Sequence, residues 1–224
     1  MSDEITSLTL CDVADAIRTR KLSATEVMEA TLARIERLQP LVNAFILLEG
    51  DGAMEAARAA DERQAKGEDL PSLHGVPMAH KDLLYRTGRV STCGSKIRSQ
   101  VKAEVTATAL ERLDAAGAIE IGTLNMAEFA ASGTGHNEHY GDCRNPWNTD
   151  HIVGGSSSGS GTAVAARMVA GSLGSDTGGS VRIPAGLCGI TGIKPTDGRV
   201  SRYGVMPRSW ASDTLGPMTR TARD

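Results

Sequence analysis

The sequence predicts a layered α/β fold with a mixed, largely parallel central sheet flanked by helices. Two observations carry this. From about residue 71 onward, short apolar runs alternate with helical patterns, as expected of strands joined by helical crossovers. The 224 residues are 40% hydrophobic and 23% charged, the balance of a globular chain. Aromatic residues are only 3%, so the core must rest on Ala, Val, Leu, Ile and Met.

The elements follow in order. "LTLCDVADAIRTRKLSATEVMEATLARIERLQP" reads as two helices, with Leu10, Val13, Ala14 and Ile17 at helical spacing. Ser23 followed by Glu26 is a capping-box signature for the second, and Pro40 is expected to end it. "VNAFILLEG" suits a buried strand, and "GAMEAARAADERQAKG" is a third helix stopped by Gly67. "GVPMAHK" reads as a strand, "EVTATALERLDAAG" as a helix closed by Gly117, and "AIEIGT" as a strand. "TAVAARMVAG" is a helix of small residues. "SLGSD" and "GITGIKP" read as strands, with a short helix over about 180–187 between them. One domain is expected over 1–224, with a helical region at 1–70 and a core at 71–224 that holds a Gly/Ser-rich block at 154–200. Thr221 with Asp224 three residues later announces a helix just where the chain stops, so a C-terminal truncation is expected.

Composition excludes some functions. Net charge is -3 with both signs mixed, which gives no electrostatic case for nucleic acid or an anionic membrane. The N-terminus lacks the pattern of a secretory signal, and no apolar run nears the ~18 residues of a membrane helix. Cys11, Cys93, Cys143 and Cys188 form no CxxC pair and read as four reduced thiols in a cytoplasmic protein. His136 and His139 form a lone i,i+3 pair, read as structural, and no metal or cofactor is expected.

The stretch "GGSSSGSGTAVAARMVAGSLGSDTGGS" needs its own explanation. A flexible linker would not carry so good a helix pattern. A phosphate-binding loop would need a Lys between its last glycine and the hydroxyl, where Gly161 and Thr162 adjoin. A nucleophile elbow at Ser157 needs a His downstream, yet all five histidines precede it; only further chain could supply that base. The remaining reading makes the stretch two sites joined by a helix. Ser180 lies where a Gly-rich turn enters a short helix, so N–H donors converge there as an acyl-transfer oxyanion requires. Gly178 and Gly179 leave room for a substrate carbonyl. The base must then come from earlier in the chain. Lys81, at the end of an apolar strand, suits that role if burial keeps its amine neutral; the alternative is an ordinary surface lysine.

These stretches resemble the amidase signature family of serine hydrolases. The resemblance rests on "GVPMAHKDLL", "TGRVSTCGS", "GTLNMAEFA", "GGSSSGSGTAVAA", "GSDTGGSVRIPAGLCGITGIKPTDGRVSRYG" and "SDTLGPMTRTARD", and covers nearly the whole chain. Several stretches are most similar to the tRNA-dependent amidotransferase branch and its free-standing relatives. The resemblance implies a Ser–Ser–Lys triad: Lys81 as base, Ser156 as bridging serine after a cis peptide bond, Ser180 as acyl nucleophile. It implies an oxyanion site at the N–H groups of Thr177, Gly178, Gly179 and Ser180. Asp176 and Arg182 would brace the loop, and Phe129, Ala130, Ala131, Ser132 and Gly133 would line the substrate approach. Ser158 departs from the family, which more often has Gly there. Length departs too: the chain resembles an N-terminal half. The implied activity is hydrolysis of a carboxamide C–N bond through an acyl-enzyme, on a small-molecule amide, as a homodimer or alone. The alternatives are an amidotransferase subunit that needs partner subunits and charged tRNA, or a catalytically incomplete fragment.

Overall fold

The computed structural model describes residues 2–224. Helices α1 (Ser2–Ser7), α2 (Leu10–Arg18) and α3 (Ala24–Val42) open the chain, followed by β1 (Phe45–Leu48) and α4 (Gly50–Ala65). Then come β2 (Pro77–Lys81), α5 (Thr108–Ala115), β3 (Ile119–Leu124), α6 (Ser158–Ala165) and β4 (Gly171–Asp176). Helix α7 (Arg182–Cys188), β5 (Thr191–Gly192) and β6 (Thr214–Thr219) complete it. The six strands form one mixed sheet in the order β1-β3-β2-β4-β6-β5. Parallel pairing is confined to its centre, β3-β2-β4, and the flanking pairs are antiparallel.

Local chemistry explains most boundaries. Ser23 and Glu26 form the expected capping box at the start of α3, and Thr9 and Asp12 form another for α2. Pro40 does not end α3. Its missing N–H removes one intrahelical bond near the C-terminus, and the helix runs on to Val42. The stop is Asn43, left-handed at φ 50°, whose N–H donates to the Gln39 carbonyl at 2.9 Å.

Two elements escaped the sequence pattern. Helix α1 is too short for a periodicity to show. Strand β6, "TLGPMT", carries Gly and Pro, which argue against a strand, yet it pairs with β4 along its whole length. Conversely, "GITGIKP" gives only the two-residue β5. The signal at the end of the chain does form: Thr221 N–H donates to Asp224 Oδ2 at 3.2 Å, and Asp224 N–H donates to Thr221 Oγ1 at 3.3 Å.

The largest core cluster lies between the sheet and helices α2 to α4, and includes Ile17, Met28, Ile35, Val76, Ile121 and Met168. A second cluster, with Leu83, Leu84, Leu110, Met126 and Leu215, lies nearer the ends of β2 and β6. All four cysteines are free. Among the described residues, no helix is long and apolar enough to cross a membrane.

Helix α6 begins at Ser158, inside the Gly/Ser stretch, rather than at Thr162, and the chain leaves it by Arg167, left-handed at φ 60°. Close packing is the reason for its small residues. A Cβ on Gly159 would lie 2.4 Å from both the Ala44 carbonyl oxygen and the Asn125 nitrogen. Gly159→Ala is therefore expected to destabilise the fold by about 1–3 kcal/mol, as overpacking does. Chemical denaturation of the variant beside the parent checks this.

Candidate active site

Strand β2 is buried throughout, and its last residue, Lys81, is fully inaccessible to solvent. Lys81 Nζ lies 2.6 Å from Ser156 Oγ and 2.8 Å from Ser175 Oγ. Among the described residues, no acidic side chain shares a hydrogen bond or ion pair with it. Burial is the main cause that lowers its ammonium from 10.5 to about 7, and the more distant Asp176 carboxylate pulls only partly the other way. A lysine is thus held near neutrality between two serine hydroxyls.

The serines come from two further elements. Ser156 follows a cis Gly155–Ser156 peptide bond, just before α6. Gly155 is required there: a Cβ would lie 2.6 Å from the Gly135 nitrogen and 2.7 Å from the Ser132 carbonyl oxygen. Gly155 N–H donates to the Gly133 carbonyl at 2.8 Å, and Ala127 N–H donates to the Ser156 carbonyl at 3.2 Å. Ser175 sits on β4, whose parallel neighbour is β2. It is a hydroxyl that sequence reasoning missed. Its position one residue before Asp176 in "GSDTGGS" was visible, but the strand register that brings it to Lys81 was not.

Ser180 follows β4 on the loop leading to α7. Its carbonyl accepts the Ser157 N–H at 3.3 Å, which ties this loop to the Ser156–Ser157 segment. The N–H groups of Thr177, Gly178, Gly179 and Ser180 donate to no acceptor among the described residues. A Cβ on Gly178 would meet nothing within 4 Å, so this turn is open on that side. Asp176 is fully buried and braces the turn. Its Oδ2 accepts from Val181 N–H at 3.2 Å, Arg182 N–H at 3.3 Å and Arg182 Nε at 3.0 Å, and its Oδ1 from Arg182 Nη2 at 3.0 Å. Burial alone would raise this carboxyl, but the hydrogen bonds from Arg182 and the turn hold it below its ordinary value.

Ser157 is placed differently. Its Oγ donates to the Ser175 carbonyl and accepts the Ser175 N–H, both at 3.3 Å. It is a buried brace between α6 and β4. Ser158 is also buried, and donates to the Asn125 carbonyl at 3.3 Å. His80, beside Lys81, accepts the Leu173 N–H at its Nδ1, 3.0 Å away, and burial lowers its imidazolium to about 4.

A cleft of about 410 Å³ opens beside these groups. Ser175, Thr177 and Ala130 line it together with the segment 202–215. Ala130 belongs to a short 3-10 turn in which Phe129 and Ala130 are both left-handed, at φ 47° and 58°. Phe129 N–H donates to the Cys93 carbonyl at 2.9 Å, and Cys93 N–H to the Asp82 carbonyl at 2.9 Å. The turn is thereby tied to the end of β2. Of the segment 129–133, Ala130 reaches this cleft; Ala131 and Gly133 are exposed, and Ser132 Oγ pairs with Thr134 Oγ1 at 2.7 Å. His136 and His139 each face a carboxylate instead of each other: His136 Nδ1 is 2.6 Å from Asp142, and His139 Nε2 is 2.8 Å from Glu128.

Residues 26–224 of this mixed-sheet chain, with its buried lysine between two serine hydroxyls, match the sequence profile of the Amidase family: the chain belongs to the amidase signature family. Among its relatives is the A subunit of glutamyl-tRNA(Gln) amidotransferase from Methylococcus capsulatus, 49% identical over 216 residues, which are 96% of this chain and 44% of that protein. Its counterpart in Azotobacter vinelandii is likewise 49% identical, over 97% of this chain and 45% of its own. Among solved structures, the peptide amidase of Stenotrophomonas maltophilia superposes with a TM-score of 0.89 at 34% identity, over 95% of this chain and 45% of that one. A fatty acid amide hydrolase superposes with a TM-score of 0.94 at 27% identity, over 100% and 40%. The chain thus spans less than half the length of the relatives it matches.

Proposed function

We propose that this protein hydrolyses a carboxamide C–N bond through an acyl-enzyme, with Ser180 as nucleophile, Ser156 as proton relay and Lys81 as base. The observation that carries the reading is the buried Lys81 amine, 2.6 Å from Ser156 Oγ and near neutrality at physiological pH. In this mechanism the Ser180 hydroxyl attacks the amide carbon as its proton passes to Ser156 Oγ. Ser156 gives its own proton to neutral Lys81. The uncommitted N–H groups of Thr177, Gly178, Gly179 and Ser180 hold the developing oxyanion. Lys81 returns the proton through Ser156 to the leaving nitrogen, which departs as ammonia or an amine. Water then cleaves the ester by the same relay in reverse. No metal or cofactor enters the mechanism.

Ser175 positions the amine in this scheme. Ser175→Ala removes one of the two hydroxyls at Lys81 Nζ and is expected to lower kcat about tenfold with little change in KM, the size of one hydrogen bond. Steady-state kinetics on a simple amide checks the split.

A second reading has a specific observation behind it, the 49% identity to the amidotransferase relative. There the same site would release ammonia from glutamine for a partner protein that holds charged tRNA. One experiment separates the two. Ammonia release from simple amides by the purified full-length protein alone supports the free-standing hydrolase. Release that appears only with partner subunits and charged tRNA supports the amidotransferase.

A further inference from the structure

The cleft carries two guanidinium groups with different fates. Arg202 Nη1 donates to the Trp210 carbonyl at 2.8 Å and to the Asp213 carbonyl at 3.3 Å, so its charge braces the loop. Arg208 lines the same cleft and is exposed. Its main-chain N–H donates to Asp213 Oδ2 at 2.7 Å, but its guanidinium meets no acceptor among the described residues. Asp213 is the sole carboxylate among the described residues lining the cleft. It is already engaged by Thr177 Oγ1 and by the N–H groups of Arg208 and Ser209. The remaining walls are largely apolar, with Leu83, Met206, Trp210 and Leu215 among them.

We infer that the cleft selects amides whose acyl chain ends in a carboxylate, with Arg208 as the residue that recognises that charge. The inference rests on the amide-hydrolase reading above and names a substrate class for it. A planar guanidinium matches a carboxylate in two parallel hydrogen bonds, a geometry that a lysine does not offer. A hydrocarbon spacer suits the apolar walls, and no uncommitted carboxylate among the described residues waits in the cleft for a substrate ammonium. Arg208 is also within electrostatic reach of the reacting groups. After burial, and against the pull of Asp176, its charge is what further lowers the Lys81 ammonium.

The test compares three pairs of amides on the full-length protein: succinamate with butanamide, glutaramate with pentanamide, adipamate with hexanamide. Within the best pair, the wild-type kcat/KM for the anionic member is expected to exceed that for the neutral one by about tenfold or more. Arg208→Met is expected to abolish that preference and Arg208→Glu to invert it. A wild-type preference for the neutral member in all three pairs overturns the inference, as does a preference that survives in either variant. If none of the six amides is cleaved, the hydrolase reading fails by itself, and calorimetry with glutarate decides the charge proposal. Glutarate binding weakened about tenfold or more by Arg208→Met keeps an anion site at Arg208. Binding that is absent from the wild type, or equal in the two proteins, removes it.

Discussion

Ser180→Ala is expected to abolish amide turnover, with a loss on the order of 10⁴-fold or more in kcat, while the fold and the affinity for a product acid stay close to those of the parent. Ser180 is half-buried on a turn whose N–H groups are uncommitted, so removal of one oxygen leaves no buried partner stranded. The contrast is Ser157→Ala. Ser157 is fully buried and its Oγ bridges the Ser175 N–H and carbonyl. Its loss is expected to reduce stability by about 1–3 kcal/mol, since a buried N–H loses its acceptor, and to leave most of the rate per folded molecule. Activity per active site, paired with a denaturation curve for each variant, checks both. A Ser157→Ala protein that is folded and inactive, beside an active Ser180→Ala, reverses the assignment.

Lys81→Met is expected to have the second large effect. Positioned proton transfer is worth about 10²–10⁴-fold, and loss of the base from a coupled relay removes at least that. Met fills most of the space of a fully buried side chain, so inactivity is not a consequence of an emptied core. His80 supplies the control. It is buried beside Lys81 and accepts the Leu173 N–H, but burial already keeps it neutral down to about pH 4. His80→Gln keeps an acceptor there, and is expected to lower stability more than rate. Both rates come from kcat/KM on one amide at a pH above 8.

The residues of this candidate site were legible in the sequence to different degrees, for physical reasons that differ by residue. Lys81 stood out because a lysine that ends an apolar strand is either exposed or chemically unusual. The Gly/Ser block stood out because glycines beside hydroxyls permit close approach, and Gly155 and Gly159 turn out to sit where a Cβ would strike backbone atoms. Ser175 was not legible as a partner of Lys81. That contact depends on how β2 and β4 pair, which no local pattern encodes. Strand β6 was hidden for the opposite reason: Gly216 and Pro217 oppose strand formation locally, and the long-range pairing with β4 overrides them. Pro40 shows the limit of a strong local rule: it forfeits one intrahelical bond, yet the last turn still closes through the Asn43 N–H on the Gln39 carbonyl. The cleft wall at 202–210 comes from loop packing and carried no periodic signal at all.

A fluorophosphonate is expected to label Ser180 at a rate that follows the protonation state of Lys81 across pH. That rate reads the nucleophile's activation without reference to any particular amide. Lys81 must be neutral to accept a proton, and burial sets its ammonium at about 7. Below that value the amine is protonated and the relay is blocked; above it the amine is free. The labelling rate is therefore expected to rise through about pH 7 and level off on the alkaline side, and Lys81→Met is expected to lose that rise and to fall below the alkaline plateau by orders of magnitude. Peptide mapping should find the phosphonate on Ser180. A label on Ser157, or the same pH-dependent rate in Lys81→Met, contradicts the account.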